Sequence, residues 1–297
     1  MFGSTHVRIQ VRTAAAISVC VSAFTSVCIL ASAANAQDAS PWAEEAHSAV
    51  RLIAGPRTGT VLLGGIAFKL QPGWKTYWRT PGDSGVPPRF DFSASDNVEA
   101  VTVLWPAPRT FPDGAGGIAF GYKKQVVLPL RIVAKNGDKP VTLRGMVSYA
   151  VCDKTCIPVE AKLELPISGA SGTEDKTLTA ALEAVPKPAR IGDDNPLTLR
   201  GVTRAGQQRM LADVLAPADT QVELFAEGPT PDWALPVPKL VERKADGVLR
   251  FGFDLDGLPP NTAPEGATLK LTLVSRDTAS GKDAAYEFSA VIGPPSK

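Results

Sequence analysis

The sequence predicts an all-β protein: one β-sandwich, a short linking helix, and a second, smaller β-sandwich. The 297 residues are enough for two domains of ordinary size. Gly and Pro, 26 of each, suit many short strands joined by turns rather than a helical bundle. Apolar, β-branched runs recur along the chain, separated by clusters of Gly, Pro and Asp.

The amino terminus has the features of a cleaved secretory signal. Arg8 and Arg12 precede an uncharged stretch from Thr13 to Ala34. The small-x-small triplet at 34–36 (ANA) then predicts cleavage before Gln37. An uncleaved membrane anchor is the alternative, but Ala, Ser and Thr dilute the stretch. Because no later stretch is long and apolar enough to cross a membrane, we expect a soluble, exported protein.

Charge and residue counts exclude several classes of function. The formal net charge of +1 gives no basic face for nucleic acid, so no nucleic-acid partner is expected. Removal of residues 1–36 would leave Cys152 and Cys156 as the only cysteines and His47 as the only histidine. A structural zinc site normally needs four Cys or His ligands, and we expect no metal site.

The first predicted sandwich begins near Val50, and about seven short strands over roughly 120 residues is typical of this fold. Pro106, Pro108 and Pro112 are hard to place in a helix or a central strand. The predicted strands are 60–70, 74–78, 98–104, 125–133, 141–151 and 157–165.

A single helix is predicted after these strands. Residues 171–174 (SGTE) have the pattern of a capping box, in which Ser171 and Glu174 satisfy free backbone N–H groups. Leu178, Leu182 and Val185 follow at helical spacing, and Pro186 ends the helix. Residues 186–196 (PKPARIGDDNP) are polar and rich in proline, which predicts a linker. The second sandwich is predicted from runs at 197–202, 210–215, 220–225, 248–253, 267–274 and 285–292.

Cys152 and Cys156 form the most informative motif, since they are four residues apart in a compartment where disulfides persist. In a tight turn their Cα atoms can approach closely enough for a bridge. A structural disulfide is one interpretation, but closing so small a ring contributes only about 2 kcal/mol of loop entropy. A redox-active disulfide is the other interpretation, because strain in a short ring makes it more reducible. The spacing leaves both open.

Three other motifs have simpler explanations than function. The segment 82–85 (GDSG) matches the nucleophile turn of trypsin-like proteases, but that mechanism needs a histidine base and the sole candidate is His47. We interpret it as a turn. The glycine-rich segment 113–117 lacks a following Gly-Lys-Ser/Thr, so it predicts a mobile loop and not a phosphate site. The aromatics Trp74, Tyr77, Trp78 and Trp105 suit core packing better than a ligand groove.

Taken in order, several landmarks resemble the amino-terminal periplasmic domain of the DsbD thiol:disulfide interchange family, especially its ScsB-like branch. The resemblance covers residues 46–167, and the second sandwich is similar to the extra domain of that branch. The landmarks are 73–85 (GWKTYWRTPGDSG), 104–108 (LWPAP), 111–112 (FP), 121–122 (GY), 127–130 (VLPL), 149–152 (YAVC) and 156–160 (CIPVE).

The resemblance implies an immunoglobulin-like sandwich whose cysteine pair shuttles electrons to thioredoxin-fold periplasmic partners, as a protein-disulfide reductase with no cofactor beyond the disulfide. Cys156 would form the mixed disulfide with the partner and Cys152 would resolve it. Lys154 would favour a thiolate and Asp153 would oppose it. Further supporting residues are Tyr149 and Pro158, and Gly114, Gly116 and Gly117 would form a shielding loop.

The sequence departs from the family pattern in two respects. The cysteines are more closely spaced than in the classical member, and the sequence to Lys297 shows no membrane electron-transfer domain or carboxy-terminal thioredoxin domain. The resemblance therefore implies a separate membrane electron donor. We expect a signal peptide at 1–36, the redox sandwich at 46–167, a helix and linker at 168–195, and the second sandwich at 196–297.

Two other hypotheses remain at this stage. In the first, the disulfide is structural and the protein is a non-enzymatic periplasmic binding module. In the second, the dithiol handles copper, since soft thiolates suit Cu(I). No Met-rich or His-rich tract supports the copper hypothesis.

Overall fold

The computed structural model of the protein describes residues 1–3, 38–114, 116–167, 169, 172–277 and 283–296. The predicted signal peptide, apart from its first three residues, lies outside the described residues. The described part of the chain is all-β with one helix, as predicted. Eleven strands precede the helix: β1 (Ala43–Glu45), β2 (Ser48–Thr58), β3 (Val61–Leu70), β4 (Lys75–Gly82), β5 (Arg89–Asp91), β6 (Val98–Val103), β7 (Arg109–Pro112), β8 (Ile118–Lys123), β9 (Gln125–Ala134), β10 (Val141–Cys152) and β11 (Cys156–Ile167).

These strands form two antiparallel sheets that pack face to face. One sheet has the order β1-β2-β3-β9-β6, and the other has the order β11-β10-β4-β8-β7, with β5 pairing with β10. Alternate residues of each strand face the other sheet, as in Val147, Tyr149 and Val151 of β10, and these residues form the core. Leu52 and Leu130 meet them from the first sheet.

The helix α1 (Asp175–Glu183) packs on the outside of the first sheet, where Leu178 contacts Ile53 and Ala67. The predicted capping box is wrong. The N-cap is Glu174, which makes no side-chain cap hydrogen bond, and Ser171 lies outside the described residues. The Glu174 carboxylate instead accepts a hydrogen bond from the Arg51 guanidinium at 2.6 Å. A tertiary ion pair has thus replaced the local cap that the sequence pattern suggested.

The second sandwich also consists of two sheets, in which all strand pairs except β12 with β19 are antiparallel. The strand orders are β12-β19-β18-β15 and β13-β14-β17-β16. Leu271 and Phe288 of the first of these sheets pack against Met210 and Phe251 of the other. Its strands are β12 (Lys187–Pro188), β13 (Thr198–Ala205), β14 (Arg209–Leu215), β15 (Gln221–Glu227), β16 (Lys239–Arg243), β17 (Leu249–Asp254), β18 (Thr268–Arg276) and β19 (Asp283–Val291).

Every predicted strand run overlaps an observed strand, and two of the strands that the sequence did not predict, β16 and β7, have physical reasons for their weak patterns. β16 is exposed along its whole length, so it shows no apolar alternation. β7 ends in Pro112 and lies at the edge of its sheet, the position where proline is tolerated.

In the described part of the chain, no helix has the length and apolar character needed to span a membrane.

The two sandwiches share apolar contacts. Phe225 of β15 is 1% exposed and belongs to the core of the first sandwich. Its ring lies edge-on to Phe120 at 4.7 Å and to Trp78 at 5.6 Å between centroids. Val274 of β18 joins the same core.

Ion pairs surround this apolar contact. Arg79, in the middle of β4, donates to Glu227 at 2.7 Å and to Glu287 at 2.6 Å. Arg276 of β18 donates to the carboxylate of Glu223 at 2.8 Å and also to the carbonyl oxygen of Pro108. Because Pro108 immediately precedes β7, the second sandwich holds both β4 and the start of β7.

We expect Phe225→Ala to lower the free energy of unfolding by about 3–5 kcal/mol, the usual cost of deleting a buried aromatic ring. Denaturant titration measures this change. Leu240→Ala, on the exposed strand β16, is the control and should change stability by about 0.5 kcal/mol or less. Equal effects of the two substitutions would contradict the shared core.

Candidate functional site

The cysteine pair closes a long, regular hairpin. β10 and β11 pair without a register shift from Val141 opposite Ile167 to Cys152 opposite Cys156. The three residues 153–155 make the turn, where the Asp153 amide donates to the Thr155 carbonyl oxygen at 3.2 Å. The two cysteines therefore meet as a directly opposed pair, and they form a disulfide with their Cα atoms 4.1 Å apart.

The two sulfur-bearing residues differ strongly in exposure. Cys152 is 1% exposed and packs against Tyr77, Ala119 and Ala150 on the outer face of the sheet. Cys156 is exposed to solvent. A thiolate from another protein can therefore reach the disulfide at Cys156, whereas neighbouring strands cover Cys152.

Tyr77 contacts the exposed cysteine directly. Its hydroxyl oxygen lies 3.4 Å from the Cys156 sulfur, and since a disulfide sulfur carries no proton, the phenol is the donor. Burial, and to a lesser extent the negative charge of Asp113, raises the pKa of the Tyr77 phenol, so it remains a donor at neutral pH. The sequence pattern predicted only a packing role for Tyr77, because the contact with Cys156 depends on pairing across the sheet.

The 82–85 turn makes room for Tyr77. Gly85 has φ +122°, and a Cβ atom at this position would lie 2.2 Å from a ring carbon of Tyr77. Only glycine fits both the backbone conformation and the ring. The segment 82–85 is therefore a turn that positions a side chain of the site. His47, the histidine considered as a protease base, stacks on Trp74 at 4.0 Å and bonds to Gln71.

The glycine-rich loop between β7 and β8 is tied to this turn. Two hydrogen bonds between Asp113 and Gly117 close the loop. The Gly117 amide donates to the Asp113 carboxylate at 2.8 Å, and the Asp113 amide donates to the Gly117 carbonyl oxygen at 2.9 Å. Asp83 of the turn accepts from the Ile118 amide at 2.9 Å. Gly114 and Gly116 have φ +88° and +98°. The loop is linked to the site through the charge of Asp113, which contributes to the raised pKa of the Tyr77 phenol.

A groove of about 560 Å³ lies beside Cys156. Its walls are largely apolar, and Val86 is 52% exposed there. Arg89 and Glu160 add one charge of each sign to the lining. The remaining lining residues are Pro87, Ser148, Tyr149, Ala150, Pro158 and Val159.

The predicted supporting residues occupy different positions around the pair. Asp153 and Lys154 are exposed in the turn, and Pro158 is exposed at the groove. The Tyr149 side chain lies in the core, where its hydroxyl forms a hydrogen bond with Ser48 at 2.8 Å. Among the described residues, no group of three or more His, Cys, Asp or Glu side chains is placed to hold a metal.

Residues 45–168 match the family model described as thiol:disulfide interchange protein DsbD, N-terminal. This segment is a DsbD N-terminal domain. The fold also matches the N-terminal periplasmic domain of ScsB from Proteus mirabilis, with a TM-score of 0.67 and 22% identity over 86% of this chain and 98% of that one. The fold likeness therefore extends beyond the DsbD N-terminal domain into the second sandwich.

Other likenesses are weak. The yeast GGA1 GAE domain covers 42% of this chain and 97% of its own, with 11% identity and a TM-score of 0.25. A conserved domain protein from Bacillus anthracis covers 85% and 89%, with 9% identity and a TM-score of 0.24. Neither bears on function. No curated protein matches the chain.

The family match and the disulfide both fall within residues 45–168, so the likeness to thiol–disulfide interchange proteins concerns this segment. The DsbD N-terminal domain here carries its two cysteines on adjoining strands of one hairpin, with Tyr77 from a third strand against the exposed one.

We expect Tyr77→Phe to slow the alkylation of reduced Cys156 at neutral pH on the order of tenfold. A hydrogen bond to a thiolate stabilises the charged form, and its loss lowers the thiolate fraction. Iodoacetamide kinetics of the reduced protein measure the effect. Tyr122→Phe is a matched control, because Tyr122 is also buried but donates to the Pro106 carbonyl oxygen. Equal rates in the two variants would contradict a role for the phenol.

Proposed function

We propose that the protein is a periplasmic thiol–disulfide exchange protein that reduces thioredoxin-fold partners through Cys156 and Cys152. The observation that carries this proposal is the unequal exposure of the two cysteines beside an apolar groove. A structural disulfide gains nothing from presenting one sulfur to solvent, whereas an exchange reaction needs one accessible sulfur and one nearby resolving sulfur.

The reaction balances in two steps. In the reduced protein, the Cys156 thiolate attacks one sulfur of the partner's disulfide, and the other partner sulfur leaves as a thiolate. The Cys152 thiolate then attacks the Cys156 sulfur of the mixed disulfide and releases the second partner thiolate. The protein ends with its own Cys152–Cys156 disulfide, and two electrons have passed to the partner.

The reverse series of exchange steps reduces the Cys152–Cys156 disulfide again. A dithiol donor attacks the Cys156 sulfur, Cys152 leaves, and the donor's second thiol completes the reduction. We assign the donor role to a separate membrane protein, and the disulfide itself is the only redox group in this scheme. The groove beside Cys156 supplies an apolar contact for the partner, and the loop containing Gly114, Gly116 and Gly117 would shield the sulfurs between encounters.

The first test is the reduction potential of the Cys152–Cys156 pair, obtained by thiol alkylation of the purified protein across a redox-buffer series. We expect a value between about −180 and −270 mV, the range of exchange catalysts. A value below about −300 mV is typical of structural disulfides and would instead favour a binding module.

The second test separates the two cysteines. We expect Cys152→Ser to accumulate a mixed disulfide with an oxidised thioredoxin-fold protein, because Cys156 remains free to attack and the resolving thiol is gone. The matched variant Cys156→Ser should accumulate far less, since its remaining thiol is buried. Gel electrophoresis without reductant measures both, and equal trapping by the two variants would contradict the assigned roles.

A further inference from the structure

One row of side chains extends from the disulfide across the sheet. Cys156 is directly opposite Cys152, Cys152 is directly opposite Lys75 of β4, and Lys75 is directly opposite Lys123 of β8. Residues that are directly opposed in an antiparallel pair project to the same face, with Cβ atoms about 4.5–5.5 Å apart. Lys75 is therefore the neighbour of the buried cysteine on the side away from Cys156.

Lys75 is unusual for a lysine on the outer face of a sheet. The residue is only 9% exposed, and its ammonium group has no hydrogen bond or ion pair with any part of the chain that the structure describes. Lys123 is also a cation, and its ammonium group lies 4.5 Å from the centre of the Phe111 ring. Directly opposed like charges destabilise a sheet. The Lys75 ammonium nitrogen keeps some contact with water and has no carboxylate beside it in the described part of the chain.

When the disulfide opens, the Cys152 sulfur becomes a thiolate, which can act as a counterion for Lys75. We propose that Lys75 is the electrostatic partner of the Cys152 thiolate, which it stabilises in the reduced protein and in the mixed disulfide. The inference rests on the proposed exchange function, and it adds a residue outside the cysteine hairpin. In the opening step an external thiolate bonds to the Cys156 sulfur, the Cys156–Cys152 bond breaks, and its electron pair remains on the Cys152 sulfur, next to Lys75.

Other charges near Cys152 have weaker effects on its thiol. Asp153 and Lys154 in the turn are exposed and of opposite sign, so water and salt screen them. Tyr77 is a neutral donor that contacts Cys156, with Asp113 behind it. Arg89 and Glu160 line the groove on the Cys156 side. Lys75 is closest in register and mostly shielded from solvent, where a charge acts through a lower effective dielectric.

Two measurable consequences follow. A stabilised thiolate makes Cys152 a better leaving group, so the disulfide opens faster. It also stabilises the reduced form over the oxidised form and raises the reduction potential. In the oxidised protein Lys75 is directly opposite Lys123, and loss of its charge should leave that form equally stable or more stable.

The test compares Lys75→Met, which keeps the hydrocarbon stem, with Lys75→Arg, which keeps the charge. We expect Lys75→Met to lower the equilibrium constant for reduction by glutathione on the order of tenfold, about 30 mV. Lys75→Arg should retain most of the wild-type value. Lys162→Met, on the exposed face of β11, is the control and should leave the constant unchanged.

Denaturant titration of both redox forms distinguishes this role from simple packing. We expect Lys75→Met to destabilise the reduced protein relative to the oxidised one, whereas a packing role would shift both forms alike. If Lys75→Met does not fold, Lys75→Gln replaces it in the same comparison. An unchanged potential in a charge-removing variant overturns the inference but leaves the exchange function standing. A wild-type potential below about −300 mV overturns both.

Discussion

The register of the β10–β11 hairpin is the constraint on which the rest of the site depends. Because side chains alternate along a strand, this register places Tyr149 and Val151 in the core and puts Ala150 and Cys152 on the outer face. A slip of one residue would exchange the two sets and bury the wrong side chains. The large apolar core therefore specifies, at the far end of the hairpin, which sulfur is covered and which is exposed.

β4 connects this hairpin to the second sandwich. Its first residues, Lys75 and Tyr77, lie beside the two cysteines, and Arg79 further along carries the ion pairs to Glu227 and Glu287. Lys75 and Tyr77 are thus held on a strand that pairs with β8 and β10 and is tied to the second sandwich through Arg79. Such anchoring would suit the proposed roles of Tyr77 and Lys75, which need a phenol and an ammonium group held in fixed positions near two sulfurs.

The sequence predicted the local features of this protein and missed those that depend on distant pairing. Strand runs, the helix and the family could be recognised because each rests on a contiguous pattern. Tyr77 looked like a core aromatic, since only the β4–β10 pairing and the space at Gly85 bring its hydroxyl to Cys156. The capping box failed for the same reason, because Arg51, far away in sequence, pairs with Glu174.

Phe225 has a consequence for how the molecule unfolds. Its ring comes from the second sandwich but fills the core of the first, next to Trp78 and Phe120. Separation of the sandwiches would open a cavity between these rings and leave Arg79 without its carboxylates. The described body of the protein should therefore melt in one cooperative transition, and neither sandwich would keep its full stability if it were expressed without the other.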